Sequence, residues 1–151
     1  MAYVLGLPVE SVSIIPDPDA AGRTVVPYPK GFDPNHDRNA AQIMEKHLVV
    51  NVAGVKALEI MTGLPTRPGD LSVNPHLVGT DYNLVNYLVL CLAGPSSKER
   101  QLAVRGQALI EAEVVLRGNW PAVRALAEAL IEHKELEKKR ISAILARSLI
   151  Q

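Results

Sequence analysis

Apolar residues recur every three to four positions from about residue 39 onward, and this spacing is the strongest constraint on the fold. Such spacing aligns apolar side chains along one face of an α-helix. Glycine interrupts the pattern at Gly63, Gly94 and Gly118, and glycine directly after a periodic stretch is a typical helix end. The spacing therefore predicts helices over about 39–61, 80–93, 98–117, 120–132 and 137–149, with a break over 133–136.

The first part of the chain has a different pattern. Residues 9–16 alternate apolar and polar side chains, as a half-buried β-strand does. Turn-forming residues separate them from a second extended stretch over residues 23–28, so the pair predicts a β-hairpin. Pro27 cannot donate a hydrogen bond within a sheet, which places the second strand at a sheet edge or a strand end. The proline-containing stretch 64–77 is ambiguous, so the sequence does not decide whether the protein has two strands or three.

These patterns together predict an α+β, mostly α fold in one domain over residues 1–151. A small N-terminal hairpin or sheet would pack on a bundle of about four to five helices. The opening residues MAYVLG resemble the last turn of a helix that Gly6 closes.

The composition gives no support to several classes of partner. Sixteen basic residues balance sixteen acidic ones, and aromatic residues make up 4% of the chain. A nucleic-acid or anionic-membrane partner therefore has no electrostatic basis. The sequence also shows no membrane-spanning run and no signal-peptide pattern. We expect a cytoplasmic protein, in which the single cysteine, Cys91, is a small buried hydrophobic residue within the run LVLCLAG.

The four histidines do not form a recognisable metal motif, since no pair has the i, i+4 spacing of a helical metal site. His36 and Asp37 form either a weak chelating pair or part of a solvated loop. His47 lies on an apolar helix face, which favours a core or boundary residue. A metal site that joins His76 or His47 to Asp81 is a weaker alternative.

Five segments, in chain order, resemble the peptidase domain of the FtsH-type zinc metalloproteases. The segment LGLPVESVSIIP resembles the strand after the family's catalytic helix, and AAGRTVVPYP resembles the strand along its substrate cleft. AGVKALEIMTG is similar to the family's A-G-R-A-A-E-E helix. GTDYNLVNYL resembles the segment in which an aspartate opens a helix, and WPAVRALAEALIEHKELEKKRISAIL resembles the C-terminal helices. The resemblance implies an FtsH peptidase-domain-like fold over essentially the whole chain.

The resemblance also implies a set of site residues. In the family, an H-E-x-x-H helix supplies two zinc-binding histidines and the glutamate that activates water, and a later aspartate is the third ligand. Asp81 matches that aspartate, whereas an alternative register places Asn83 there. Glu59 matches the second glutamate of A-G-R-A-A-E-E. The resemblance implies that it would contact the zinc-binding residues without binding the metal itself. Val55 and Leu58 depart from that motif.

The sequence contains no H-E-x-x-H, and its opening residues resemble the short apolar run and glycine that come directly after that motif in the family. We therefore expect that the chain starts just after the motif. Catalytic zinc needs about three protein ligands. The resemblance thus implies a zinc metallopeptidase-type hydrolase domain that, as given, is inactive and binds no zinc, the cofactor of the intact family.

The alternative is a non-catalytic binding or assembly domain. Apolar surface left exposed on the hairpin and on the helix of Asp81 would be covered by self-association into a homo-oligomer. A peptide or protein could instead add a strand to the sheet edge. The residues of that edge strand are Arg23, Thr24, Val25 and Val26.

Overall fold

The computed structural model describes residues 1–16, 18, 22–65 and 80–148, with the backbone alone for residues 80–82. It is α+β and mostly α, with 63% of residues helical, which confirms the predicted fold class. Five helices and three strands lie within this described part. In chain order they are β1 (Ser11–Ser13), β2 (Arg23–Val25), α1 (Ala40–Thr62), α2 (Thr80–Ala93), α3 (Lys98–Gly118), α4 (Trp120–His133), β3 (Glu135–Glu137) and α5 (Lys138–Ser148).

The chain divides into two compact units. The helical unit comprises Met1 and Pro29–Leu116, and it contains α1, α2 and nearly all of α3. The sheet unit combines Ala2–Tyr28 with Arg117–Gln151, and it contains the three strands, α4 and α5.

The helical unit is built on the apolar face of α1, which packs against α2. Leu48 and Val52 in α1, and Leu88 in α2, are fully buried there. The helix α1 ends at Gly63, whose φ of 73° is left-handed and whose N–H donates to the Glu59 carbonyl at 2.8 Å. Glycine adopts this conformation without the strain that a side chain would impose. The predicted end of the first helix is therefore confirmed.

The sheet unit contains an antiparallel sheet with the strand order β2-β1-β3. Val12 in β1 lies opposite Thr24 on one side and Leu136 on the other. Leu136 is 1% exposed and packs in a core with three buried residues of α4 and α5. Those three residues are Ala122, Ile141 and Leu145.

The predicted hairpin is confirmed, and so is the predicted break between the last two helices, although the sequence does not predict that this break contains a third strand, β3. The backbone leaves α4 at Lys134, which has a positive φ of 64° and whose N–H donates to the Leu130 carbonyl. The Ile14 N–H then donates to the Lys134 carbonyl at 2.9 Å, which joins β1 to the start of β3. Two exposed glutamates flank Leu136, so the strand has the alternation of a half-buried sheet edge.

The opening turn has the geometry that its glycine predicts. Gly6 has a φ of 72°, and its N–H donates to the Tyr3 carbonyl at 3.1 Å. The Leu7 N–H donates to the Ala2 carbonyl at 2.9 Å. These two bonds form the Schellman pattern that closes a helical turn, so the interpretation of Gly6 as a turn-closing residue is confirmed.

Cys91 corrects one prediction, because its side chain is exposed rather than buried. The buried residues of α2 include Val85, Leu88 and Val89, and helical spacing turns position 91 away from that face. The Ser97 hydroxyl accepts a hydrogen bond from the Arg100 N–H at 3.2 Å, so Ser97 caps the start of α3. None of the helices in the described part of the chain has the length and apolar character needed to cross a bilayer.

Candidate functional site

Asp81 lies in the first turn of α2, but its side chain is outside the described residues. His76 and most of the stretch 64–77 are outside them as well. The zinc-ligand role of Asp81 and its joint ligation with His76 therefore stay predictions. Asn83, the residue of the alternative register, is exposed on α2.

His47 belongs to α1 in the helical unit and is 3% exposed. This position confirms the interpretation of His47 as a core residue. Burial disfavours the charged imidazolium, so it lowers the pKa of His47 below its ordinary value.

Glu59 takes part in a partly buried ion cluster that joins α1 to α3. The Lys56 ammonium lies 2.7 Å from a carboxylate oxygen of Glu59, one helical turn further along α1. It also lies 2.9 Å from a carboxylate oxygen of Glu113 in α3. Lys56 is 6% exposed, so its charge is removed from water and depends on these two partners. Glu59 is therefore a member of a structural ion pair.

The two carboxylates control the ionisation of Lys56. Burial by itself lowers the pKa of Lys56, but the hydrogen bonds and charges of Glu59 and Glu113 outweigh it and raise that pKa above its ordinary value. The lysine therefore stays charged at neutral pH, and it acts as a tie between helices rather than as a base. The role of Glu59 behind zinc ligands stays a prediction.

Sequence reasoning does not identify Lys56 and Glu113 as partners of Glu59. A lysine on an apolar helix face with a glutamate three positions later is a signal for the first pair. Glu113 cannot be found in this way, because it belongs to a different helix.

The loop before α1 brings His36 to Asp33 rather than to Asp37. His36 Nδ1 lies 2.8 Å from a carboxylate oxygen of Asp33, and the histidine side chain is 82% exposed. Asp37 instead accepts a hydrogen bond from the Asp33 N–H at 2.8 Å. Hydrogen bonds from the Asn35 backbone and from His36 lower the pKa of Asp33. The predicted solvated loop is confirmed, and the predicted contact between His36 and Asp37 is replaced by these contacts.

The predicted edge strand lies at an edge of the sheet. The strand β2 pairs with β1 and stands at one end of the order β2-β1-β3. Arg23 and Thr24 are exposed, whereas Val25 and Val26 are half-buried. Val26 directly follows the strand rather than belonging to it.

Apolar side chains are exposed in both units. In the sheet unit, Ile15 is 54% exposed two positions after the end of β1, beside the more covered Ile14. In the helical unit, Tyr87, Leu90 and Cys91 form an exposed stripe on α2. A hydrogen bond with the Cys91 side chain, and the negative charge of its thiolate form, raise the pKa of the Tyr87 hydroxyl. Exposed patches of this kind are typical of interaction surfaces.

The residues that the structure describes do not provide a zinc site. Among them, no group of three or more histidine, cysteine, aspartate or glutamate side chains is placed to hold a metal ion. His36 and His47, for example, lie in an exposed loop and in a packed core, respectively. These residues therefore support no chemical step through zinc. The chain matches no protein-family model and no curated protein sequence.

Proposed function

We propose that this chain is an FtsH peptidase-like domain that acts in binding and assembly. The resemblance of five ordered segments supports the ancestry. The sequence offers Asp81 as the family's third ligand but has no H-E-x-x-H to supply the other two ligands and the catalytic glutamate. A binding role does not require that constellation.

The observation that carries the binding role is the edge position of β2. An edge strand presents backbone N–H and C=O groups that can pair with an added strand. Thr24 is exposed in the centre of β2, so a peptide can approach the strand there. Because the strand is three residues long and Pro27 follows it closely, the added strand would make few hydrogen bonds and bind weakly.

The binding role is tested with a fluorescein-labelled, valine- and threonine-rich short peptide and the full 151-residue chain. We expect the fluorescence anisotropy of the peptide to rise with a dissociation constant in the micromolar range. The matched control is the same peptide with N-methylated backbone amides, which cannot pair with a strand edge and should not bind. Equal binding of the two peptides, or no binding of either, would contradict pairing at β2. Thr24→Pro should also weaken binding, whereas Thr24→Ser should preserve it.

A second role, self-association, is favoured by the exposed apolar residues. The stripe of Tyr87, Leu90 and Cys91 is an exposed apolar surface that a second copy would cover on self-association. Light scattering from low micromolar to submillimolar protein should show a mass above that of the monomer. A constant monomer mass over that range would contradict self-association without affecting the peptide test.

A further inference from the structure

The helix α3 carries a second apolar stripe, separate from the face that packs within the helical unit. The core face contains Ala108, Leu109, Ala112 and Leu116, all buried. The other stripe, called the α3 seam, consists of Leu102, Gly106, Ile110 and Val114. Spacing by four residues places side chains along one side of a helix.

The seam is exposed although it is aliphatic. Ile110 is 59% exposed and Val114 is 67% exposed, and Leu102 is 45% exposed at the other end of the seam. Apolar side chains on two sides of a helix are typical of a helix that is covered on both sides. The core face is already covered, so the seam lacks a covering surface among the described residues.

We propose that the α3 seam pairs antiparallel with the α3 seam of a second copy, centred on Gly106. This inference rests on the self-association proposed above and names its surface. A glycine at the crossing point allows two helix backbones to approach closely. Antiparallel pairing about Gly106 places Leu102 of each copy opposite Ile110 of the other, so the seam is complementary to itself, as a twofold interface requires.

The charges beside the seam support a second copy as the occupant. Arg100 and Glu111 flank the same side of the seam, eleven positions apart in the sequence. Pairing about Gly106 brings Arg100 of one copy next to Glu111 of the other, and symmetry forms this pair twice. Such opposite charges at the border of an interface fix its register. Glu113 is two residues from Glu111, so it lies on the opposite border of the seam, where it is paired with Lys56.

The size of the seam predicts a weak dimer. A helix of 21 residues is about 30 Å long. A single pair of helices of this length buries less surface than a typical stable interface of about 800 Å² per partner. We therefore expect a dissociation constant in the micromolar range.

The decisive test is a charge-reversal series on the full chain, measured by sedimentation equilibrium. Arg100→Glu and Glu111→Arg should each raise the dimer dissociation constant about tenfold or more, because each removes two attractive pairs and creates two repulsive ones. The double variant should restore dimerisation, since it re-forms the pairs with reversed signs. Failure of the double variant to recover would overturn the proposed register.

A second experiment tests the proposed dimer by substituting a residue of the α3 seam itself. Ile110→Ser should abolish the dimer, and its exposure means that the fold does not depend on it. The matched control is Ile131→Ser, a similarly exposed isoleucine on α4, which should leave the dimer intact. A dimer that survives Ile110→Ser but dissociates with Leu90→Ser would reject the α3 seam and retain self-association. A monomeric wild-type chain would reject both.

Discussion

His47 places an ionisable group inside the apolar packing of α1, and this position makes stability depend on pH. The pKa of the folded state lies below the ordinary value of 6.5 because burial disfavours the charged form. In the unfolded chain the imidazole keeps its ordinary pKa, so below pH 6.5 the unfolded state binds the proton more readily. The contribution of His47 is therefore constant above that pH and becomes destabilising as the pH falls through it.

We expect the free energy of unfolding of the wild type to decrease between pH 7 and pH 5, and His47→Gln to reduce this decrease. Urea denaturation at several pH values measures the free energy of unfolding. The readout is the slope of this free energy against pH rather than its absolute value. Asn83→Gln, at an exposed position of α2, changes no titratable group and should leave the slope unchanged. If His47→Gln kept the wild-type slope, a group other than His47 would be responsible for the pH dependence of stability.

Single residues are predictable where their role is local. Gly6, Gly63 and Ser97 act through backbone neighbours within a few positions, and their roles are visible in the sequence. Cys91 is not predictable in this way, because an apolar run does not show which of its members face the core. The side chain of Asp81 lies outside the described residues, so its predicted role is neither confirmed nor contradicted.

At the scale of elements, Lys56 links α1 to α3. Its ammonium contacts Glu59 within α1 and Glu113 in α3. A second polar contact joins α3 to α2, where an Arg105 guanidinium nitrogen lies 2.5 Å from the Asn86 side-chain oxygen. Polar contacts at fixed positions favour one alignment of neighbouring helices over others.

We expect Lys56→Met to lower the free energy of unfolding by about 2 kcal/mol, because it leaves two carboxylates close together without their cation. The triple variant Lys56→Met, Glu59→Gln, Glu113→Gln removes those charges together and should recover most of the loss. Chemical denaturation at neutral pH measures both. If the triple variant were as unstable as Lys56→Met, lost packing rather than charge would explain the effect.

The elements themselves are largely predictable, because helices and the hairpin depend on local periodicity. The strand β3 is not, since three residues carry too little alternation to distinguish a strand from a break. Its partner β1 lies far from it in the sequence, so the pairing of Val12 with Leu136 leaves no local signal. The contact of Glu113 with Lys56 escapes sequence reasoning for the same reason.

At the scale of the whole molecule, the two units differ in how the chain builds them. The helical unit comes almost entirely from one continuous stretch, whereas the sheet unit combines two stretches that are distant in sequence. Leu136 is central to the sheet unit because it belongs to the sheet and is buried with residues of α4 and α5.

We expect Leu136→Ala to destabilise the sheet unit by about 3 kcal/mol, as the truncation of a buried leucine does. Hydrogen exchange should show lower amide protection in β1, β3 and α5, while α1 retains its protection. Ile131→Ala, at an exposed position of α4 outside the α3 seam, should change little. An equal loss of protection in both units would show that they unfold as one cooperative body.

The pairing of β1 on both sides has a consequence for the protein during its synthesis. On the ribosome, β1 and β2 emerge first and can form their hairpin, but β3 is translated only after α1 to α4. Until then the nascent chain exposes one open edge of β1 and the apolar side of Val12, both of which favour aggregation. Translation speed and chaperone access over this interval should therefore affect the yield of folded protein.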